Sequence, residues 1–400
     1  MMSKPIAIAA MTLVAGSALG SETSSLLGAG VEDRNDELLA NAASQSEAGK
    51  PNPIKMSGEV QFRYAAVFNA QPTAGDDEFT NGFELARTRL KFAGSFDEPG
   101  ISYTVLGDFL SRSGVFTLAD AYFDAPLADG WKVRAGQFKL PFTREFAATG
   151  PTKVLAVDRS LADAVFRVGR SQGVQLSWKQ DNARASFAIN DGRRAPNTSY
   201  TSAAESDIAL TGRFEYKLGD AGWKQWGDMT SLRTDETGWL FGVAGHWQQD
   251  GLTRAPAGYA DNSNLYVYTA DVGYEGAGYN AMAAFYGQTT VSDDSVTDLG
   301  FTVQGGTFVT DNDEIFARYS GVFPDDDRGS SSDSFSNIAV GWNRYLVPDS
   351  HALKFTAEVS YSPDTLSDSS DLVSQQTKLG ILNDTEDGQF GLLMQMQIDF

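Results

Sequence analysis

The sequence predicts an all-β fold, a 16-stranded antiparallel transmembrane β-barrel, and three observations support this prediction. From residue 54 to the C-terminus, apolar and polar side chains alternate with the two-residue period of a β-strand, and helical periodicity is nearly absent. The alternating segments have about the ten-residue length of strands that cross a bilayer. Short turns and longer connections follow the segments in alternation, as a barrel with short turns at one end requires.

Segment 207–218 (DIALTGRFEYKL) shows the alternation clearly. Apolar residues such as Phe214 occupy one face, and Arg213, Glu215 and Lys217 occupy the other. A soluble β-sandwich or propeller is the alternative, but the predicted strands exceed the usual length of roughly five or six residues, and no repeat of about 40 residues recurs. The predicted strands are 55–70, 81–96, 101–111, 115–127, 131–142, 171–180, 183–192, 207–219, 238–249, 265–276, 278–290, 298–309, 313–323, 334–346, 352–363 and 390–400.

Most connections between the predicted strands agree with this alternation of short and long. Turns such as Asp129-Gly130 and Asp181-Asn182 follow even-numbered strands, and mostly longer segments follow odd-numbered strands. Two connections agree poorly, because 112–114 is too short and 220–237 is too long for its position. The strand register is therefore open at these two places.

The first 20 residues are predicted to be a cleaved signal peptide. The positively charged start MMSK precedes an apolar run, and Ala18 and Gly20 supply the small residues at positions −3 and −1 of a cleavage site. The alternative, a membrane anchor, needs about 20 apolar residues, which is longer than this run. Residues 21–53 are predicted to form a polar arm with a short helix, and residues 54–400 the barrel domain. The sequence contains no cysteine, so the exported chain would fold without disulfides.

Cations recur on one face of the second predicted strand. In FELARTRLKF (83–92), Arg87, Arg89 and Lys91 occupy every second position, although the whole chain has a net charge of −21. A cation that faces lipid near the bilayer midplane costs roughly 2–4 kcal/mol, so these side chains are predicted to face the lumen. The alternative for each is a wall residue that pairs with a neighbouring acid. The predicted lumen cations are Arg63, Arg87, Arg89, Lys91, Lys132, Arg134, Arg213 and Lys217, with Arg184, Arg318 and Lys354 at equivalent positions.

Residues 143–170 form the third long connection, which we call the third loop. It contains a predicted short helix, and long loops with structure of their own are usually functional. We predict that it folds into the barrel and constricts the lumen, and the alternative is a lid that faces outward. Its cations are Arg144, Lys153, Arg159, Arg167 and Arg170, against the acids Glu145, Asp158 and Asp163.

Much of the negative charge lies in the other long connections, for example DDE at 76–78 and DDD at 325–327. Acidic outer loops would meet divalent cations that bridge lipopolysaccharide, although solubility alone also explains them. An acidic mouth would weaken the electrostatic steering of anions. The acidic balance argues against nucleic acid as a partner.

The last predicted strand, GLLMQMQIDF, ends at Phe400. A terminal Phe on an amphipathic strand resembles the recognition signal of outer-membrane barrels. This resemblance implies the barrel-assembly machinery and membrane lipid as partners, and the bacterial outer membrane as the location.

Residues 121–145 (AYFDAPLADGWKVRAGQFKLPFTRE) and 154–178 (VLAVDRSLADAVFRVGRSQGVQLSW) resemble the phosphate-selective porin O/P family. The matching pieces are GQFKLPF with the RE after it, DRSL, and GR followed by GVQL, in the same order and spacing. The resemblance is good over residues 115–180 and compatible in alternation over 55–400. It implies a homotrimeric outer-membrane channel with an inward-folded third loop and a basic lumen that passes anions such as phosphate or polyphosphate.

The residues themselves leave two other functions open. One is a general, weakly selective or cation-preferring porin, and the other is a structural protein that anchors the envelope through residues 21–50. An enzyme is not expected, because His246 and His351 lie far apart without a nucleophile motif, and no cysteine or metal-binding spacing occurs. No cofactor and no metal are therefore predicted.

Overall fold

A computed structural model describes residues 52–68, 79–109, 114–203, 205–251, 263–330, 332–364, 372–373 and 387–400. The predicted signal peptide and nearly all of the predicted arm at 21–53 lie outside these residues. The described residues form 16 strands. These are β1 Lys55–Phe68, β2 Phe79–Ser95, β3 Ser102–Phe109, β4 Phe116–Pro126, β5 Trp131–Lys139, β6 Arg170–Lys179, β7 Ala183–Asn190, β8 Ile208–Gly219, β9 Gly238–Gln249, β10 Asn264–Gly276, β11 Tyr279–Val291, β12 Ser295–Phe308, β13 Asp313–Phe323, β14 Phe335–Tyr345, β15 Leu353–Ser362 and β16 Gln389–Asp399.

The strands close into one barrel, which confirms the predicted fold class. Each strand pairs with its neighbours in sequence, and β1 pairs antiparallel with β16 through partners such as Phe62 and Met396. Closure leaves no sheet edge, so every strand finds backbone partners on both sides, as a membrane interior demands. Among the described residues, no helix has both the length and the apolar character needed to cross a membrane.

The two faces of the barrel wall differ in chemistry. Outward side chains are large and apolar, and Phe62, Phe214 and Val340 are each more than two-fifths exposed outside the barrel. Inward side chains are polar and buried, for example Gln61 and Gln397. The apolar outside would lie against lipid, whereas the polar inside contacts other polar groups and water.

A β-bulge in β2 explains why the cations after it in sequence and an acid before it all lie on the inward face. Arg87 pairs with Gln61 and Leu85 pairs with Phe62, so Ala86 is the extra residue on β2. A bulge shifts the alternation by one residue. Glu84 and Arg87 therefore both point inward, although strict alternation would place them on opposite faces.

The connections fall into two classes, which define two ends of the barrel. Short turns and both ends of the strand series lie at one end, which we call the turn end. The β8–β9 connection (residues 220–237) is long although it lies at the turn end, and Gly219 still pairs with Gly238 directly beneath it. The unusual length is thus a real feature and not a slip in strand register. Most of the other doubtful connection, 112–114, lies outside the described residues.

The main apolar core lies inside the barrel and includes the third loop. This loop contains a π-helical turn (Arg144–Ala148), a 3-10 turn (Pro151–Lys153) and the helix α1 (Leu161–Phe166). All residues of α1 are buried, and Phe166 stacks on Tyr286 of β11 with ring centroids 5.9 Å apart. The core residues are Leu155, Ala156, Leu161, Ala162, Val165, Phe166, Met229, Met282, Ala284, Tyr286, Phe316, Val322, Phe335, Leu372 and Val373.

Candidate functional site

Side chains of the inner wall hold the backbone of the third loop. The Lys354 ammonium donates to the carbonyl of Val154 at 3.0 Å, and Asn343 donates to the carbonyl of Leu155 at 2.9 Å. The Val157 N–H in turn donates to the Glu358 carboxylate at 2.8 Å. All three wall residues occupy inward positions of β14 and β15. The segment from Val154 to Val157 therefore runs along the inner wall of that half of the barrel.

Asp158 fixes the other side of the third loop. Its carboxylate pairs with Arg63 at 2.8 Å and with Arg87 at 2.5 Å, and all three side chains are largely buried. Burial alone disfavours the charged form, but the attraction of Arg63 and Arg87 outweighs it and holds the pKa of Asp158 well below its usual range. Two of the predicted lumen cations thus bind the third loop and do not line open space.

We expect this triple charge contact to survive mild acid. The folded pKa of Asp158 is lower than its value of about 3.9 in an unfolded chain, so its stabilising contribution is complete above about pH 4. That contribution is lost only as the pH falls through the lower folded value. Single-channel current noise should therefore be the same at pH 4.5 and pH 7, and a rise in noise already at pH 5 would contradict the assignment.

Two further cations, which the sequence analysis did not identify, hold α1 from the β7–β8 connection. Arg193 donates to the carbonyl of Val165 at 2.5 Å, and Arg194 donates to the carbonyl of Ala164 at 2.6 Å. Both carbonyls belong to the C-terminal turn of α1, where cations are favourable partners. The sequence signal is weak, since it consists only of a loop glycine, Gly192, before two arginines.

A group of cations surrounds the ring of Phe146 in the third loop. Lys139, Arg159, Arg167 and Arg170 lie 5.2, 5.1, 5.1 and 5.5 Å from the ring centroid. Cations are attracted to the face of an aromatic ring within about 6 Å. We call these four cations the Phe146 cluster.

Only part of the charge of the Phe146 cluster is neutralised by carboxylates. Arg170 pairs with Asp120 at 2.8 Å, and Arg167 pairs weakly with Asp163 at 3.5 Å. Arg159 instead donates to the carbonyl of Glu145 at 2.7 Å. Lys139 likewise donates to a carbonyl, that of Thr149, at 3.1 Å. The cluster therefore retains positive charge. Lys139 is the last residue of the GQFK motif, but it is not among the predicted site residues.

Two cavities lie between the third loop and the barrel wall, and both are basic. The first has a volume of about 500 Å³, and its lining includes six cations and three acids. Those cations are Arg89, Lys91, Arg134, Lys139, Lys153 and Arg170. The second has a volume of about 440 Å³, and its cations are Lys132, Arg134, Lys139, Lys179, Arg184 and Arg213, against the single acid Glu215.

The two cavities are adjacent, because Arg134, Lys139, Ala147 and Ala148 line both. Together they follow the inner wall from β2 to β8. Lys217 lines a third opening at the turn end, near Trp223. Cations therefore occur along the whole of this half of the barrel.

Most wall arginines in these cavities pair with acids on neighbouring strands, as the alternative interpretation of single residues proposed. Arg89 pairs with Glu59 at 3.1 Å and with Asp108 at 2.7 Å. The same pattern holds for Lys132 and Arg134 with Asp124, and for Arg213 with Asp271 and Glu215. Lys91 differs, since it is exposed to the cavity and makes no ion pair within the described part of the chain.

Arg144, at the start of the third loop, lies outside both cavities. Its guanidinium pairs with Glu275 of β10 at 2.5 Å and lies 4.9 Å from the ring of Trp226. A Cβ atom at Gly273 would lie 1.8 Å from Nη1 of the same guanidinium, so any larger residue there would displace Arg144. Arg144 therefore connects the third loop to β10 and to the β8–β9 connection.

The two histidines occupy separate polar environments. His246 hydrogen-bonds to Thr211 at 2.8 Å and to Gln248 at 3.0 Å, and His351 lies 3.7 Å from Asp228. No group of side chains that could hold a metal ion occurs among the described residues.

Phe400 completes the pairing of the last strand with the first. Its N–H donates to the carbonyl of Gly58 at 2.9 Å, and its carbonyl accepts from the Gly58 N–H at 2.7 Å. Its ring is 57 % exposed on the outside of the barrel.

A closed 16-stranded barrel with an apolar outside, a polar inside and a loop bound within it defines the class of outer-membrane porins. The model of the family "Phosphate-selective porin O and P" matches residues 54–291, more than half of the chain. The chain therefore belongs to this family and is located in the bacterial outer membrane, where it forms an anion channel.

Solved structures support the fold. The anion-selective porin from Comamonas acidovorans has 12% identity and a TM-score of 0.63, with 88% of this chain and 100% of that chain covered. The outer-membrane channel DcaP of Acinetobacter baumannii has 12% identity and a TM-score of 0.56 over 88% and 97% of the chains. OmpT of Vibrio cholerae has 10% identity and a TM-score of 0.57 over 87% and 97%. No curated protein sequence gives a significant match.

Proposed function

We propose that small anions, in particular phosphate or polyphosphate, diffuse along the basic cavities between the third loop and the wall from β2 to β8. The observation that carries this proposal is the excess of cations in both cavities, six against three acids and six against one. The name of the anion-selective porin from Comamonas acidovorans supports the same sign of selectivity.

The paired arginines serve this function through the hydrogen-bond donors that their acids do not use. A guanidinium carries five N–H donors in a planar fork that fits phosphate oxygens. Arg134, for example, donates to Asp124 from Nε and Nη2, so Nη1 is oriented elsewhere. A series of moderate sites of this kind lets an anion enter and leave without one trapping site.

Lys91 and Lys139 supply the net attraction. Neither has a carboxylate partner within ion-pair distance among the described residues, and both line the first cavity. In a space of low dielectric constant their charges act over longer distances than in bulk water. We propose that the Phe146 cluster forms the constriction, with its member Lys139 lining both cavities.

The remaining expectations complete the proposal. A homotrimer is supported by a trimer form among the porins of similar fold. Residues 1–20 act as the cleaved signal peptide, and Phe400 is read by the barrel-assembly machinery. Lipopolysaccharide contacts the acidic outer loops. We expect no enzymatic activity and no cofactor, because the family and the fold are those of a channel.

Phosphate block of chloride current in planar bilayers tests this function. Phosphate added to a purified channel in KCl should reduce the chloride current in a saturable manner, because it occupies the same guanidinium and ammonium groups more tightly. An equal concentration of potassium gluconate controls for ionic strength. A chloride current that phosphate does not reduce would contradict phosphate recognition.

A further inference from the structure

The β8–β9 connection enters the barrel from the turn end. Trp226 is completely buried, and it packs with Ala221 and with Leu240 of β9. The N–H of Met229 donates to the carbonyl of Lys153 in the third loop at 3.0 Å. Segments from the two ends of the barrel therefore meet in its interior.

The same connection also reaches the wall beyond the third loop. Thr230 hydrogen-bonds to the hydroxyl of Tyr345 at 2.9 Å, and Gln304 of β12 donates to the sulfur of Met229 at 3.6 Å. Arg144 adds a contact to the carbonyl of Asp228 at 3.4 Å. These contacts fill the space between the third loop and strands β10 to β14 at the turn end.

The wall beneath these segments is acidic. Inward positions of β10 to β15 carry five buried acids, and only two cations, Arg318 and Lys354, lie among them. The acids are Asp271, Glu275, Asp298, Glu314 and Glu358. Three of them pair with arginines of other elements: Asp271 with Arg213, Glu275 with Arg144, and Asp298 with Arg328. Glu275 is only 1 % exposed and pairs with Arg144, whose guanidinium lies 4.9 Å from the ring of Trp226. The basic cavities lie on the other half of the wall, so charge is divided between a covered half and an open half.

We propose that the β8–β9 connection, with Trp226 as its central residue, determines selectivity by covering the acidic half of the lumen. Ions within about 8–10 Å of a carboxylate in physiological salt respond to its charge, and water entering beside Glu275 would weaken its pairing with Arg144 and let cations approach the carboxylate. With that half filled, ions pass only along the basic half. The proposal rests on the proposed anion channel and adds a specificity element from the periplasmic side, where the turn end lies.

The variant Trp226→Ala tests the proposal in planar bilayers. Loss of the ring opens space beside Arg144 and Glu275, so we expect a higher single-channel conductance and a reversal potential shifted toward the potassium equilibrium potential. The double variant Trp226→Ala with Glu275→Gln removes the uncovered charge. It should return the reversal potential to the wild-type value or beyond it, while the conductance stays raised.

Trp239→Ala is the matched control, because Trp239 lies on β9 beside the same connection but is 47 % exposed on the outside. Trp239→Ala should leave both the single-channel conductance and the reversal potential unchanged. Suppose that the wild type prefers anions and that Trp226→Ala folds and behaves like it. The covering of the acidic half by the β8–β9 connection is then refuted, and the proposed function stands. If the wild type itself prefers potassium, the proposed function is refuted instead.

A labelling experiment keeps the proposal testable if Trp226→Ala does not fold. The sequence contains no cysteine, so single cysteines can be introduced and modified selectively. Thr230→Cys, at a site 1 % exposed, should react slowly with a charged methanethiosulfonate reagent, whereas Thr104→Cys in the first cavity should react fast and lower the current. Equally fast modification of both variants would contradict the proposal that the β8–β9 connection covers the acidic half of the lumen.

Discussion

Replacing Asp158 by Asn is expected to release the third loop from the wall formed by β1 and β2. The substitution leaves Arg63 and Arg87 buried without their shared carboxylate, which they contact at 2.8 and 2.5 Å. Removal of one partner from a buried ion pair typically costs about 3–5 kcal/mol. We expect a lower unfolding temperature, and single-channel recordings with larger and noisier open-state currents.

The contacts of the loop with β14 and β15 remain in this variant, so the barrel should still assemble. Asp326→Asn serves as the control, because Asp326 is an exposed acid in the β13–β14 connection. It removes the same charge and should change neither the unfolding temperature nor the noise. A quiet Asp158→Asn channel with wild-type stability would show that Asp158 does not hold the loop.

The double variant Lys91→Gln with Lys139→Gln is expected to lose much of the anion preference. Both side chains line the first cavity, and neither is neutralised by a carboxylate among the described residues. A hydrogen bond to a charged group contributes about 1.5–3 kcal/mol, and about 1.4 kcal/mol corresponds to a tenfold change in affinity. The phosphate concentration for half-block should therefore rise by at least about tenfold.

The reversal potential of this double variant in a KCl gradient should move toward zero. Lys224→Gln is a suitable control, since Lys224 is exposed in the β8–β9 connection and lines neither basic cavity. It should keep both the wild-type reversal potential and the wild-type phosphate block. If the double variant also keeps both, the unpaired lysines do not determine selectivity.

The sequence was sufficient to predict the barrel because strand alternation is a local signal. Short turns join every second pair of neighbouring strands, and the alternation within each segment marks its two faces, so the number, order and inward face of the strands could be inferred. The same local logic extends to pairs such as Arg134 with Asp124, which occupy directly opposed positions of β4 and β5. The bulge at Ala86 has no comparable signal, and it alters which residues of β2 face inward.

The candidate site was less predictable, because its contacts depend on the path of long connections. Asp158 lies 71 residues from Arg87 in sequence, and only the folded loop brings the two together. Alternation could therefore place Arg63 and Arg87 inside the barrel but could not show that they bind a loop. Likewise, the length of 220–237 was visible in the sequence, whereas its entry into the lumen depends on the tertiary contacts of Trp226 and Met229.

The central claim is that ions pass along the basic half of the lumen while the acidic half is covered. The most direct test is the reversal potential of the wild-type channel in a planar bilayer with unequal KCl concentrations on the two sides. Its sign gives the preferred ion without reference to any single residue. We predict a reversal potential close to the chloride equilibrium potential, and a value on the potassium side of zero would contradict the account.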